Sequence, residues 1–194
     1  NDNTITYTLT AATDNLSGID GYGIFTSTGT GSPSTVKDIE EVVSYNETLS
    51  DGSWYFNIRS VDNCGNLDDA HASTGPYRID TVAPTQPGVI SSTTHQIGVQ
   101  SCNTTVTVNW TSSTDAASGL DHYWGAWNTI AVFDPVGGAN ISAASTSNTT
   151  NIGSSTSARY FHLRPLDNAG NYGPTRHFGP IYASTTGAIP YCTG

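Results

Sequence analysis

Tyr55-Phe56-Asn57-Ile58-Arg59-Ser60-Val61-Asp62-Asn63-Cys64-Gly65-Asn66 returns 105 residues later as Tyr160-Phe161-His162-Leu163-Arg164-Pro165-Leu166-Asp167-Asn168-Ala169-Gly170-Asn171. Two further blocks keep the same order. Asp14-Asn15-Leu16-Ser17-Gly18-Ile19-Asp20-Gly21-Tyr22 returns as Asp115-Ala116-Ala117-Ser118-Gly119-Leu120-Asp121-His122-Tyr123 after 101 residues, and Gly75-Pro76 as Gly179-Pro180 after 104. Three blocks in one order at a nearly constant offset mean two tandem copies of one unit of about 100 residues. The division falls between Ala83 and Pro84, giving domains 1–83 and 84–194.

Each copy reads as β. Thr4-Ile5-Thr6-Tyr7-Thr8-Leu9-Thr10 alternates apolar residues with threonine, as does Thr105-Val106-Thr107-Val108-Asn109-Trp110-Thr111. That period-2 pattern belongs to a strand with one face buried. In the Tyr-Phe block, Trp54, Phe56 and Ile58 share the expected core face, and Tyr55, Asn57, Arg59 and Val61 the outward one. Asp, Asn, Ser and Gly end each strand, as turn chemistry demands. Only residues 34–45 hint at helix, through Val36, Ile39, Val42 and Val43 at helical spacing. The expected fold class is all-β: two tandem antiparallel β-sandwiches.

Composition narrows the surroundings. The chain of 194 residues has six basic against sixteen acidic residues, a net charge of -10, and only 11% charged residues. Five arginines and one lysine cannot build the basic patch that nucleic acid or an anionic membrane requires, and no apolar run reaches the ~20 residues of a membrane span. Four Trp, ten Tyr and five Phe supply cores, which argues against disorder. Ser and Thr make up 51 residues, so the expected location is extracellular or at the cell surface.

The pattern Asp-x-x-Ser-Gly-(Ile/Leu)-Asp-x-Tyr, then Tyr-Phe-x-(Ile/Leu)-Arg-x-(Val/Leu)-Asp-Asn-x-Gly-Asn, then Ile79-Asp80-Thr81-Val82-Ala83-Pro84, resembles the immunoglobulin-like or fibronectin-III-like repeats of large secreted bacterial surface proteins. Ile90-Ser91-Ser92-Thr93-Thr94-His95 fits the same family. The resemblance covers nearly the whole chain and implies spacer, stalk or adhesive modules. It is specific for fold, and fold alone does not carry function.

Aligning the copies exposes one absence. Asn1 matches Cys102, so the first copy has no counterpart to residues 84–101, where the second should hold its first strand. Three readings stand: a piece of a longer array cut at a linker, an open sheet edge filled by a neighbouring chain, or a first domain that does without the strand.

In a sandwich of this topology Cys102 and Cys192 sit at the same end of the second domain, so they are the expected disulfide. Cys64 takes the place of Ala169 in a tight turn, either as a free thiol or bonded to another chain. Asp80, Asp115, Asp167 and Asn168 are candidates to converge as oxygen ligands for calcium, with turn formation as the competing role of the same acids. No other cofactor is expected. Asn-x-Ser/Thr sequons occur at Asn15, Asn46, Asn103, Asn109, Asn140 and Asn148, no more than Ser/Thr content explains. Asn140 and Asn148 lie in residues 139–157, expected to be an exposed loop.

Trp124 and Trp127 have opposite parity on a strand, so one is a candidate for exposure and for stacking on a sugar. His162 is expected on a solvated face. No catalytic spacing is present among the histidines, and no Gly-x-Ser-x-Gly elbow, so an enzyme is not expected. The expected function is structural: an assembly module of an extracellular appendage, filament or stalk, joined by sheet-edge and head-to-tail contacts. Its partners would be other copies of itself or neighbouring repeats. A carbohydrate-binding or adhesive module, accessory to a secreted enzyme, is the alternative, with glycans as partner.

Overall fold

The computed structural model describes residues 3–185 and divides into two compact units, Asn1–Thr81 and Val82–Gly194. This division falls two residues before the one drawn from the repeats. Every described element is a β-strand.

The first unit contains β1 (Thr4–Thr8), β2 (Ile19–Ser27), β3 (Ile39–Glu40), β4 (Ser44–Thr48), β5 (Gly52–Asp62) and β6 (Ala72–Ile79). They form a two-stranded sheet, β1-β4, and a four-stranded sheet, β3-β2-β5-β6, all antiparallel. Aromatic rings carry the contact between these sheets. Tyr7 stacks on Phe56 at 4.0 Å between centroids, with Tyr45 5.9 Å from Phe56 and Tyr77 edge-on to Tyr7 at 5.4 Å.

The second unit contains β7 (Ser91–Ser92), β8 (Gln100–Ser101), β9 (Thr105–Asn109), β10 (Leu120–Asn128), β11 (Ala139–Ser142), β12 (Ser147–Asn151), β13 (Ser155–Asp167) and β14 (Arg176–Ala183). A three-stranded sheet, β12-β9-β7, packs on a five-stranded one, β11-β10-β13-β14-β8, in which only the β14–β8 pair is parallel. Val106, Val108 and Trp110 from one side meet Tyr123, Phe161, Leu163 and Ile181 from the other in one buried cluster, which Ile90 closes. Strand for strand, β9 to β14 repeat β1 to β6, and β7 and β8 have no counterpart among the described residues of the first unit.

Three local expectations are corrected. Residues 34–45 contain no helix; they form loop, β3 and the start of β4, with Val36 and Val43 exposed. Helical spacing of Val and Ile is equally strand chemistry. Residues 139–157 are not a loop but hold β11, β12 and the start of β13.

The outward face of β5 is not solvated either: Asn57 is fully buried and Val61 nearly so. The loop after β2 lies over it, and glycine makes room. A Cβ on Gly21 would stand 2.2 Å from Ile39 O, and one on Gly23 2.5 Å from Ser34 O. Asn57 then satisfies the covering loop, accepting from Gly31 N at 3.0 Å and donating to Phe25 O at 2.8 Å.

Candidate functional site

The repeated motifs are turn chemistry. Asp14 Oδ2 accepts from Ser17 N at 2.7 Å, Gly18 N at 2.9 Å and Ser17 Oγ at 2.9 Å. Asp115 Oδ1 does the same for Ser118 N at 2.9 Å and Gly119 N at 2.8 Å. Bonds from the Ser17 amide and hydroxyl favour the charged form and hold the Asp14 carboxyl below the usual range. Gly18 and Gly119 close these turns at φ +79° and +78°, where a side chain is strained. The second motif is also built on a carboxylate: Asp62 Oδ1 accepts from Cys64 N and Asn66 N, and Asp167 Oδ1 from Ala169 N and Asn171 N. Asn66 and Asn171 each donate a side-chain N–H to the other oxygen. Tyrosine ends the pattern: Tyr22 Oη accepts from Ala12 N at 3.2 Å, and Tyr123 Oη from Ser113 N at 2.7 Å.

The expected calcium ligands divide between the units. Asp115 and Asn168 lie in loops of the second and Asp167 ends β13, and carboxylate oxygens of Asp115 and Asp167 come within 4.8 Å of each other. Asn168 uses its side-chain amide on Ser118 O at 2.8 Å and Gly119 O at 3.1 Å. Asp80 belongs to the first unit, one residue before its end.

Cys64 is an exposed free thiol. Cys102 follows β8, while Cys192 lies outside the described residues. Among the sequons, Asn15, Asn46, Asn103 and Asn140 are exposed, whereas Asn109 and Asn148 are half-buried on the β9–β12 ladder. Neither tryptophan is exposed: Trp127 packs on Phe161 at 5.0 Å, and Trp124 lies edge-on to His122 at 4.6 Å.

His162 is completely buried, against the expectation of a solvated position. Its Nδ1 lies 2.7 Å from His177 Nδ1 and its Nε2 3.0 Å from Asn128 Oδ1, with Phe133 edge-on at 5.6 Å. Burial, then the neighbouring His177, pushes the His162 imidazole down to about 4. Unit one carries Asn57 and Ser73 at the same cross-strand position, bonded at 2.7 Å. The sequence gives no sign of this covered face, because the residues that cover it come from a loop with no repeat signature.

A groove lies in the first unit. Among the described residues β1 pairs only with β4 and β6 only with β5. Between them runs a groove of about 470 Å³, whose walls include Tyr7, Thr10, Arg59, Thr74 and Tyr77. Tyr7 Oη is buried without a hydrogen-bond partner. Desolvation, with Glu47 next in size, pushes the Tyr7 phenol up to about 12. Leu9 N donates to Val43 O and Leu49 N to Asn3 O, so odd residues of β1 face β4. By the alternation of an antiparallel ladder, the amides of Thr6 and Thr8 face the open side.

No protein-family model and no curated protein matches the chain. Among solved structures it is similar to the fibronectin(III)-like modules of CbhA from Clostridium thermocellum, with 9% identity over 93% of this chain and 85% of that one, TM-score 0.46. It is also similar to the FN1-FN3 domains of chicken CNTN1, with 18% identity over 94% of this chain and 62% of that one, TM-score 0.34.

Proposed function

We propose that the chain is a non-enzymatic structural module of an extracellular appendage, filament or stalk, built from two immunoglobulin-like or fibronectin-III-like sandwiches in series and joined to its neighbours through sheet edges and ends. One observation carries this reading. β1 and β6 of the first unit present unpaired edges beside an apolar-walled groove, while the matching edges of the second unit are occupied. Natural sheets protect such edges with charge, proline or bulges. β1, Thr-Ile-Thr-Tyr-Thr, carries no charge and no proline. The edge is therefore suited to pairing with another strand. The alternative, a carbohydrate-binding module, would want an aromatic face open to solvent, and both Trp124 and Trp127 are at least half-buried.

Size-exclusion chromatography and electron microscopy test this. Self-association or fibres are expected. A monomer at high concentration, with no fibres, contradicts the reading.

Two accessory features belong to the proposal. A Cys102–Cys192 disulfide would pin the carboxy-terminal segment, and non-reducing peptide mapping should recover Cys102 in a crosslink. Calcium is proposed at Asp115, Asp167 and Asn168, where a cation would relieve the repulsion of two close carboxylates. EDTA should then lower the Tm, and an unchanged midpoint removes the ion from the account.

A further inference from the structure

We propose that the groove between β1 and β6 of the first unit is a docking site for an uncharged β-strand with one large aliphatic anchor, of the type Pro-Gly-Val-Ile-Ser-Ser, donated by another polypeptide. This deepens the assembly reading above by naming the partner's chemistry.

The second unit shows what fits such a surface. There residues 84–101 run along the edges of β9 and β14. Ser91 and Ser92 of β7 pair with Asn109 and Val108, the positions of Thr8 and Tyr7 in the first copy. Gly88 N donates to Thr111 O at 2.9 Å and Thr85 N to Thr114 O at 2.9 Å; the matching carbonyls are those of Thr10 and Thr13. Farther on, Gly98 N donates to Pro180 O at 2.9 Å, and β8 pairs in parallel with Tyr182 and Ala183. The matching residues are Pro76, Arg78 and Ile79. Ile90 enters the core at 6% exposure, and Pro87 is fully buried.

The same surface without such a strand is the groove. Phe178 is 5% and Ile181 0% exposed, whereas Thr74 and Tyr77 at their positions are exposed and half-buried. Leu163 is fully buried, whereas Ile58 is half-buried. An aliphatic anchor seated as Ile90 is would cover the Ile58–Thr74–Tyr77 wall, and a strand carbonyl or hydroxyl would give Tyr7 Oη its missing partner.

Charge fits as well. The walls hold one positive and one negative side chain, Arg59 and Asp68, and residues 84–101 hold no Asp, Glu, Lys or Arg. A neutral groove receives a neutral strand with no charge left unpaired.

The test uses the intact chain and a fluorescein-labelled synthetic peptide of residues 84–101, followed by anisotropy. Saturable binding is expected, with new hydrogen-exchange protection at the Thr6 and Thr8 amides. An Ile90→Asp peptide should bind at least ~10-fold more weakly, as loss of a buried aliphatic anchor requires. Thr8→Pro in the protein removes one amide from the open side and leaves the bonds from β1 to β4 in place. It should weaken the peptide ~5-fold or more while the thermal midpoint stays near wild type.

No binding, or equal binding of the Ile90→Asp peptide, overturns the proposal. So does a dimer in sedimentation whose β1 amides are protected without peptide, since the occupant is then the β1 edge of a second copy. Failure of this proposal is distinct from failure of the assembly reading. Peptide binding without fibres leaves the docking site and removes the appendage; fibres without peptide binding do the reverse.

Discussion

The two units share turns, strand order and core positions, yet one is sealed and the other is not. β14 is buried or half-buried along its whole length, while β6 is exposed at its first five positions. Val106 and Val108 on β9 are completely buried, whereas on β1 only Tyr7 is. The turns are built alike in both, so the difference does not arise from local folding. It arises because residues 84–101 cover the second unit and nothing among the described residues covers the first. A sandwich can keep its topology with one edge pair bare, at the cost of a half-covered wall.

Substitutions can break or sharpen that comparison. The largest effect is expected for Leu163→Ala, which should cost about 2–5 kcal/mol in denaturant unfolding because the side chain is fully buried. Ile58→Ala, at the same register in the first unit, should cost no more than about half as much. Equal losses would mean that the first unit's wall is covered after all.

The buried pairs on the covered faces should separate the units next. His162 sits at about 4 in the folded chain, against ~6.5 for a free imidazole. Between those values the unfolded chain binds a proton that the folded one does not. The resulting stability is complete above pH ~6.5 and is lost progressively as pH falls to about 4, by on the order of 1–3 kcal/mol. His177, Asn128, Phe133 and Asp134 surround the ring, and Asp134 is itself held by the Thr175 hydroxyl. The double variant His162→Asn/His177→Ser, which copies Asn57 and Ser73, should flatten this acid limb in the second unit's unfolding. An unchanged limb would assign it to carboxylates instead.

A smaller and equal effect is expected at the shared turns. Asp62→Ala and Asp167→Ala each remove the acceptor for two backbone amides, and each should lower the thermal midpoint of its own unit. A loss confined to Asp167→Ala would show that the motif serves something other than the turn.

These contrasts also explain what could be read from sequence. Asp-x-x-Ser-Gly and Asp-Asn-x-Gly-Asn are devices whose carboxylate bonds span four residues or fewer, so repetition and turn chemistry expose them directly. The strands at Thr4–Thr8 and Thr105–Asn109 follow from strict alternation. The buried positions of Asn57 and His162 depend on Gly31 in the loop after β2 and on Asn128 at the end of β10, and alternation alone assigns both to solvent. Residues 34–45 misled for a related reason: Val and Ile at helical spacing are also strand formers, and the loop they belong to is fixed by close contact with Gly21 and Gly23.

Hydrogen exchange of the chain by itself tests the central contrast most directly. The Thr6 and Thr8 amides, on the open side of β1, should exchange near their intrinsic rates, while those of Thr107 and Asn109, beside β7, are slower by roughly 100-fold or more. Equal protection at the four positions would contradict the account.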